Sequence, residues 1–194
     1  NRSSGKQGYA IAQALLDEGA TVTLVSGPTN LPLPEGAQVI EVISAAEMKD
    51  AVMTHLKDKD AFISVAAVAD FTPSSTAGEK IKKTGQNLIL ELMPTVDILR
   101  TVSEERRRSN PGMLVIGFAA ETTQTYQNAI KKLQEKGLDL IIANDVGQPQ
   151  PVFGADENKV TFISADGQVQ EFPWMPKYAV GEKLADFFVQ KWGL

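Results

Sequence analysis

The sequence predicts an α/β fold in three layers: a Rossmann-like, mostly parallel sheet carries helices on both faces, and a C-terminal β-hairpin extension follows it. Helical and extended patterns alternate along most of the 194 residues. Two nearly continuous apolar runs, AFISVAAVA and MLVIGFAAE, are typical of strands covered on both faces of a parallel sheet. Repeated β-α-β units favour such a sheet with helices on both sides. The length fits a single domain spanning residues 1–194.

The first part of the chain alternates between a helix and strands. A helical stripe in GYAIAQALLDEGA predicts the first helix, which ends at Gly19. TVTLVSG and QVIEVI then follow as strands. In SAAE, Ser44 and Glu47 have the spacing of a capping box, so a helix is predicted from there to about Lys57. AFISVAAVA is the next buried strand, and the long polar loop DFTPSSTAGEKIKKTG follows it.

The second part repeats the alternation and then changes character. NLILELM is predicted as a strand, and a helix is predicted to start near Pro94. MLVIGFAAE, TTQTYQNAIKKLQEK and LDLIIAND follow as strand, helix and strand. KVTFISADGQVQEFPW, within residues 159–174, has the pattern of a hairpin with its turn at Asp166–Gly167. A last helix is predicted to begin at Pro176.

Composition excludes several classes of function. Nineteen basic against 24 acidic residues give a net charge of −5, which argues against a nucleic-acid surface. The sequence has no cysteine, which excludes disulfides and thiolate metal sites. His55 is its single histidine, which removes most histidine metal sites, and nothing near it in the sequence indicates a catalytic triad. We see no signal peptide and no apolar run of membrane-spanning length, so a cytoplasmic location without membrane contact is expected. Asn1 is not an initiator residue, and we expect the natural product to extend upstream.

The opening segment NRSSGKQG is the first candidate for ligand binding. Open α/β sheets bind ligands beyond the carboxyl ends of their strands, where such loops gather. Gly5 and Gly8 open a helix, and the amides at a helix start suit a phosphate. Ser3 and Tyr9 depart from the dinucleotide fingerprint and from the P-loop, so neither motif is met. A polar turn that merely caps the helix is an equal alternative.

The segment AAVADFTPSSTAGEKIKK is the second candidate. Its alanines leave room for a flat ligand, and Asp70 is able to accept a hydrogen bond from an amino group or a ribose hydroxyl. The stretch between Thr72 and Gly78 has the composition of a mobile lid. Lys80, with Lys82 and Lys83 behind it, would place positive charge on a phosphate or a developing oxyanion. A solvated lysine run on a surface loop is the alternative.

Two further features are consistent with a bound nucleotide. Lys132 and Lys136 lie four residues apart, so they share a helix face and could converge on a triphosphate, or simply face solvent. Phe118 ends a buried strand, where it would stack on a base or belong to the core. Asp97 lies at a helix start, where the helix dipole favours a negative charge.

These segments, in this order and spacing, resemble phosphopantothenoylcysteine synthetases: NRSSGKQGYAIA, LVSGP, AAVADF, EKIKK, GFAAET and LDLIIANDV. The resemblance runs from Asn1 to about Phe153. It implies a ligase that activates the carboxylate of 4′-phosphopantothenate with CTP, releasing pyrophosphate, and then couples the acyl-cytidylate to L-cysteine, releasing CMP. In this family an upstream segment supplies the first strand, so the N-terminal strand is expected to be missing here. Members are often fused behind a flavin-dependent decarboxylase, which would hold FMN; this chain would not.

The resemblance also implies roles for individual residues. Lys80 would be the catalytic lysine, and Asn1 would act on the acyl-cytidylate. Phosphopantothenate would be bound by Asn1, Gly5 and Ala67. The nucleotide would be contacted by Ser64, Val65, Ala66, Ala67, Asp70, Val96, Asp97, Ile98, Leu99, Phe118, Lys132 and Lys136. The triphosphate implies Mg²⁺, whose protein ligands the sequence does not name. A homodimer is implied, with hairpin 159–174 and the segment leading to it from Asn144 as its candidate interface.

Two other functions fit the predicted fold. The first is an NAD(P)-dependent oxidoreductase with a degenerate glycine loop. Such an enzyme needs a carboxylate at the end of the second strand, where this chain has Gly27 and Pro28. The second is a non-catalytic nucleotide- or flavin-binding module.

Overall fold

The computed structural model describes residues 3–83, 85, 87–121, 125–145 and 154–193, and the elements below are those of this part of the chain. The helices are α1 Lys6–Asp17, α2 Ala45–His55, α3 Ile98–Ser109, α4 Thr125–Lys136 and α5 Lys177–Trp192. The strands are β1 Thr23–Ser26, β2 Gln38–Glu41, β3 Ala61–Ser64, β4 Phe71–Pro73, β5 Leu92–Pro94, β6 Leu114–Glu121, β7 Leu140–Asp145, β8 Glu157–Asn158, β9 Val160–Ser164, β10 Val169–Glu171 and β11 Met175–Pro176.

A five-stranded sheet in the order β10-β9-β7-β6-β3 forms the centre of the molecule. β3, β6 and β7 run parallel, while β9 pairs antiparallel with β7 and with β10. Helices cover both faces, so the three-layer α/β architecture with a mostly parallel sheet is confirmed. The predicted hairpin is also present, with Gly167 at φ 87° in its turn. Both of its strands, β9 and β10, belong to the central sheet rather than projecting from it.

Alternate residues of β6 and β7 bury their side chains in two different cores. On one face, Val115 and Ile141 pack with α3 and α4. On the other, Ile116 and Ile142 pack with α1 and α5. This alternation is the period of two that a strand imposes, and burial on both faces explains why these strands appear in the sequence as unbroken apolar runs.

Local signals set several helix starts. The Ser44 hydroxyl accepts a hydrogen bond from the Glu47 N–H at 3.2 Å, and the Glu47 carboxylate accepts one from the Ile43 N–H at 2.8 Å. This is the predicted capping arrangement, and α2 ends at His55, two residues before the predicted end. α5 begins at Lys177, one residue after the predicted start, with Pro176 as its N-cap.

The region after β3 differs from the prediction. AFISVAAVA forms only the short strand β3, whose residues are half-buried, and Ala66 and Ala67 are exposed. Phe62 packs against the core on one face and Ile63 against the core on the other, so both faces are covered as expected. The residues are only half-buried because β3 is an edge strand of the central sheet. The polar loop contains β4, which pairs antiparallel with β5, and NLILELM is regular only in its last residues. The next helix starts at Ile98 rather than near Pro94.

β1 and β2 pair parallel to each other in a separate two-stranded sheet. Residues of β1 and of β3 line the same large cleft, and those of β2 do not, so the open edges of β1 and β3 face each other across it. None of the helices in the described ranges has the length and apolarity needed to cross a membrane.

Candidate functional site

A cleft of about 1210 Å³ runs along β1 and β3 and reaches the carboxyl ends of β1, β3 and β6. Its lower part, between the strands, is mainly apolar. Its upper part is formed by the starts of α1 and α3, the chain after β3, and one face of α4. The upper part is where an open α/β sheet places its ligand site.

The start of α1 forms one wall of the upper cleft. Gly5 is its N-cap at φ 77°, a left-handed conformation that favours glycine, and it has no side chain to cap the helix. The Lys6 N–H donates to the Ser4 hydroxyl at 3.4 Å. The loop after β1 packs against this turn: the Thr29 hydroxyl donates to the Ser4 carbonyl at 3.4 Å. A Cβ on Gly8 would lie 3.8 Å from Val65, so the first turn of α1 rests on the end of β3. Helix-start amides without a side-chain cap are suited to an anion.

The end of β1 is tied to the same helix. The hydroxyls of Tyr9 and Ser26 lie 3.0 Å apart, and Ser26 also donates to the Gly27 carbonyl at 2.9 Å. Ser26 therefore stands, already hydrogen-bonded, where a nicotinamide enzyme would need a carboxylate for the ribose. This position gives no support to the oxidoreductase alternative.

Lys132 and Lys136 converge on the cleft from α4, as their spacing predicted. The Lys132 ammonium donates to the Phe118 carbonyl at 3.1 Å. The Lys136 ammonium forms an ion pair with Asp97 at 2.8 Å. Asp97 also accepts from the Arg100 N–H at 3.0 Å as the N-cap of α3. The two lysines, Asp97 and Phe118 thus meet beside the ends of β6 and α3.

The contacts of Asp97 with its neighbours determine its charge state. Burial by itself raises the pKa of the carboxyl group. Hydrogen bonds from Lys136 and from the Arg100 N–H, with the charges of Lys136 and Lys132, outweigh burial and hold the pKa below its ordinary value. Asp97 therefore stays ionised, and the local surplus of charge is positive.

The chain leaving β3 forms the floor of the upper cleft. Ser64 and Val65 are half-buried, whereas Ala66, Ala67 and Asp70 are exposed along the lining. Because alanine side chains are short, a flat ligand is able to approach the backbone here. The sequence placed these five residues together correctly at one strand end.

The stretch from Val96 to Leu99 divides between the cleft and the core. All four residues line the cleft, and Val96 and Asp97 are exposed. Ile98 and Leu99 are each only 7% exposed and pack in the core on the α3 and α4 face. Any contact of theirs with a ligand would therefore come mainly from the backbone at the start of α3.

Lys80 lies apart from the rest of the predicted site. It is exposed in the segment between β4 and β5, and none of the described residues between 71 and 94 lines the cleft. Asn1, the other predicted catalytic residue, lies outside the described residues. Their proposed roles stay predictions.

Sequence reasoning missed a polar cluster beside the start of α1. Lys6 forms an ion pair with Asp156 at 2.7 Å, and Asn158 donates to Gln7 at 2.9 Å and to Asn144 at 3.0 Å. Asn158 is fully buried, and its Oδ1 is the one buried side-chain atom within the described ranges that lacks a hydrogen-bond partner. Lys177 is buried in the same cluster. The contacts of Lys6 with Asp156 and of Asn158 with Gln7 join residues about 150 positions apart, so no local pattern signals the cluster.

Burial and neighbouring charges shift the pKa values of Lys177 and Asp156. Burial, and secondarily the neighbouring Lys6, lower the pKa of Lys177, while Asp156 acts in the opposite direction. The hydrogen bond and charge of Lys6 lower the pKa of Asp156. The cluster joins the first turn of α1 to the end of β7 and to the start of α5, and it therefore fixes the position of the α1 wall of the cleft.

The residues of the cleft also determine whether a metal ion could bind there. No cluster of three or more histidine, cysteine or acidic side chains suited to a metal ion exists in the described part of the chain. Asp70 and Asp97 are the acidic residues of the upper cleft, and Asp97 is already paired with Lys136. These donors fit a magnesium ion held mainly by a ligand's own phosphates.

The fold and cleft define an α/β protein whose ligand site lies at the carboxyl edge of a parallel sheet, with helix-start amides on one side and lysines on the other. Residues 1–191 match the family described as the DNA/pantothenate metabolism flavoprotein C-terminal domain, and the chain belongs to this family.

Known proteins similar to this chain share its family. It is 46% identical over 185 residues to the coenzyme A biosynthesis bifunctional protein CoaBC of Bacillus subtilis (strain 168), covering 95% of this chain and 45% of that protein. Against the CoaBC protein of Escherichia coli (strain K12) it is 40% identical, with 99% and 47% covered. The chain thus spans about half the length of these relatives.

A solved structure supports the fold directly. The crystal structure of the C-terminal domain of a coenzyme A biosynthesis bifunctional protein CoaBC aligns with a TM-score of 0.82 at 38% identity, covering 98% of this chain and 84% of that chain. The match therefore extends through the hairpin and α5, where the sequence resemblance was weaker.

Proposed function

We propose that this chain is the ligase domain of a coenzyme A biosynthesis protein and that it joins 4′-phosphopantothenate to L-cysteine with CTP as the activating nucleotide. The observation that carries the proposal is one cleft in which the start of α1, the alanines after β3, Phe118 and the lysines of α4 come together. The names of the relatives support the pathway. The resemblance of the cleft residues to phosphopantothenoylcysteine synthetases supports the reaction.

The proposed reaction has two steps. A carboxylate oxygen of 4′-phosphopantothenate attacks the α-phosphorus of CTP, the bond to the bridging oxygen breaks, and pyrophosphate leaves. The cysteine amine then attacks the acyl carbon, the acyl–phosphate bond breaks, and CMP leaves with the bonding electrons while the amine releases a proton. Neither step needs a protein nucleophile, which agrees with a chain that has no cysteine and one histidine. Catalysis then depends on positioning and on stabilising charge.

In this proposal, different walls of the cleft bind different parts of the substrates. The amides at the start of α1 bind the phosphate of phosphopantothenate, in the manner of other helix starts. The cytidine lies against Ser64–Ala67, with Asp70 on a polar group and Phe118 beside the base. Lys132 and Lys136 bind the triphosphate. Because Lys136 is already paired with Asp97 at 2.8 Å, the nucleotide has to share or replace that partner.

Magnesium would neutralise charge on the departing pyrophosphate when it is bound. The cleft lining offers few protein oxygen ligands for magnesium, so we propose that the ion enters the cleft bound to the nucleotide. Asp70 is the exposed carboxylate of the upper cleft that would be available to bind it.

Pyrophosphate release tests the proposal. The full-length protein is incubated with 4′-phosphopantothenate, magnesium and cysteine, with CTP and ATP in parallel. Continuous release is expected, faster with CTP. Omitting cysteine should limit release to about one pyrophosphate per site, because the acyl-cytidylate is not consumed. Absence of release with both nucleotides would contradict the ligase, and faster release with ATP would contradict the choice of base.

A further inference from the structure

Two hydroxyl groups meet at one side of the upper cleft, where the first turn of α1 lies against the end of β1. The hydroxyls of Tyr9 and Ser26 are 3.0 Å apart, and both residues line the cleft. Ser26 is only 8% exposed, whereas Tyr9 is half-buried. The reaction proposed above gives neither hydroxyl a role.

Tyr9 lies beside the helix turn to which we assign the phosphate of phosphopantothenate. Its N–H donates to the Gly5 carbonyl at 3.1 Å, so Tyr9 is one turn beyond the N-cap of α1. Long side chains in helices lean back toward the N-terminus of the helix. The Tyr9 ring therefore extends along the first turn of α1, and its hydroxyl reaches Ser26, the last residue of β1.

The hydrogen bonds of this pair determine which way its two protons point. A hydroxyl group has one proton to donate and two lone pairs that accept. Ser26 donates its proton to the Gly27 carbonyl at 2.9 Å. The Tyr9 hydroxyl is therefore the donor in its contact with Ser26, and its single proton is used there. Toward any further group, the Tyr9 oxygen is an acceptor.

No group within the described ranges donates to that acceptor. Ser26 is the one hydrogen-bond partner of the Tyr9 hydroxyl in this part of the chain. The two side chains belong to a helix and a strand that pack together, so the acceptor is held in place before a ligand arrives. A few fixed polar groups of this kind in a concave site orient a ligand and give specificity.

The groups already assigned to phosphates are all donors. The amides at the start of α1 and the ammonium groups of Lys132 and Lys136 recognise acceptors such as phosphate oxygens. A ligand that also carries a donor needs an acceptor beside them. 4′-Phosphopantothenate is such a ligand: its ionised phosphate and carboxylate accept, whereas its pantoyl hydroxyl and its amide N–H donate. Both donors lie between the phosphate and the carboxylate.

We propose that Tyr9 determines specificity for phosphopantothenate: its hydroxyl oxygen, oriented by Ser26, accepts a hydrogen bond from the pantoyl hydroxyl or from the amide N–H of the substrate. This inference rests on the proposed function, which supplies the substrate. With the phosphate on the amides of α1, a contact at Tyr9 fixes the middle of the substrate and leaves its carboxylate end available to the nucleotide. Fixing the substrate in this way favours the geometry in which the two reactants meet.

Calorimetric titration with substrate analogues tests the contact directly. The full-length protein is saturated with a CTP analogue that has a methylene group between its α- and β-phosphorus atoms, so that no reaction follows binding. It is then titrated with 4′-phosphopantothenate, with an analogue that lacks the pantoyl hydroxyl, and with an analogue in which an ester oxygen replaces the amide N–H. One of the two analogues should bind about tenfold more weakly than the natural substrate, the usual cost of one hydrogen bond.

Tyr9→Phe removes the oxygen and keeps the ring. This variant should bind 4′-phosphopantothenate about tenfold more weakly, and the analogue that bound weakly to the wild type should now bind as well as the natural substrate. Such non-additivity is the mark of a direct contact. If neither analogue binds weakly to the wild type, or if the analogue's deficit is the same in Tyr9→Phe, the proposal is overturned.

Tyr126→Phe is the matched control for the loss of a phenol oxygen. Tyr126 lies on α4, is 48% exposed and does not line the cleft. All three affinities should therefore equal those of the wild type. A tenfold loss in this variant as well would show that the effect of Tyr9→Phe is not specific to the cleft, and would overturn the proposal.

Ser26→Ala separates a contact with the substrate from the contact between the two side chains. Both Ser26→Ala and Tyr9→Phe break the hydrogen bond between Tyr9 and Ser26, but Ser26→Ala leaves the phenol oxygen in place. It should therefore bind 4′-phosphopantothenate more tightly than Tyr9→Phe does and should keep the analogue's deficit. Equal affinities in the two variants would show that the pair acts only by holding α1 against β1, and would overturn the proposal.

Steady-state kinetics give a second readout. Tyr9→Phe should raise the KM for 4′-phosphopantothenate about tenfold and leave kcat and the KM values for CTP and cysteine unchanged, because the contact is the same before and during the reaction. A raised KM for cysteine or for CTP instead would place the Tyr9 oxygen on another substrate and overturn the proposal.

The two measurements also distinguish this inference from the proposed function. A wild-type protein that binds 4′-phosphopantothenate but releases no pyrophosphate would refute the ligase, whereas calorimetry would still decide the contact with Tyr9. Normal pyrophosphate release with an unchanged affinity in Tyr9→Phe would refute the contact and leave the ligase intact. A wild-type protein that does not bind 4′-phosphopantothenate would overturn both.

Discussion

The body of the cleft and the segment at its rim, residues 71–94 with strands β4 and β5 and called the arm here, place similar apolar residues in opposite environments. On β6, Ile116 is fully buried between neighbouring strands and helices. On the arm, Ile89 has no such cover and is 90% exposed. The body is therefore stable through contacts within the chain.

The lysines of the proposed site differ in how the rest of the chain holds them. Lys132 and Lys136 are held by contacts within the chain, to the Phe118 carbonyl and to Asp97. Lys80 does not line the cleft.

The largest expected effect contrasts the same substitution in the two regions. Ile116→Ala should lower the free energy of unfolding by about 2–5 kcal/mol, since it empties a packed core position. Ile89→Ala should change the stability of a single copy by less than about 0.5 kcal/mol, as exposed positions do. Urea unfolding measures both. Equal losses in the two variants would show that Ile89 packs against the rest of its own chain.

The next effect concerns the cleft lysines. Lys132→Gln should slow pyrophosphate release about a hundredfold, the usual cost of removing one group that stabilises transition-state charge. Lys131→Gln is the matched control: its side chain is 72% exposed and faces Glu135 at 3.8 Å. It should retain the wild-type rate. Steady-state kinetics at saturating CTP decide the comparison, and equal losses in both variants would remove Lys132 from the site.

A smaller effect on stability comes from the contact between α1 and α5. A Cβ on Gly181 would lie 2.6 Å from the Ala14 Cβ and 3.0 Å from the Ile11 Cα, so Gly181→Ala should cost about 1–3 kcal/mol by forcing the helices apart. Gly78 on the arm has open space around it, so Gly78→Ala should stay within about 0.5 kcal/mol of wild type. Thermal unfolding followed by circular dichroism compares the two, and a lower melting temperature for Gly78→Ala would mean that the arm is packed.

The sequence was informative wherever a feature depended on neighbours in the chain. Buried strands, the capping box at Ser44, the turn at Gly167 and the shared helix face of Lys132 and Lys136 all follow from local periods and spacings. It was less informative where contacts between residues far apart in the sequence determine the structure. The half-buried state of β3 depends on its edge position, and the Asn158 cluster joins residues about 150 positions apart. A strand was predicted at NLILELM, whose end forms β5, but its pairing with β4 was not predicted because β4 lies in a polar loop.

The smallest predicted effect lies in the hairpin turn, which, unlike the arm, is tied to the body. Lys191 of α5 approaches Asp166 to 2.6 Å, and hydrogen bonds from Lys191, Ser164 and the Gln168 N–H lower the Asp166 pKa from 3.8 to about 2. Because the folded-state pKa is depressed, the ionised carboxylate adds stability above about pH 4, and this contribution is lost as the pH falls toward 2. Asp166→Asn should therefore flatten the fall in stability between pH 4 and pH 2, measured by urea unfolding at each pH. Asp50→Asn, which removes an exposed carboxylate on α2, controls for net charge, and an equal flattening there would show that the contact with Lys191 contributes nothing specific.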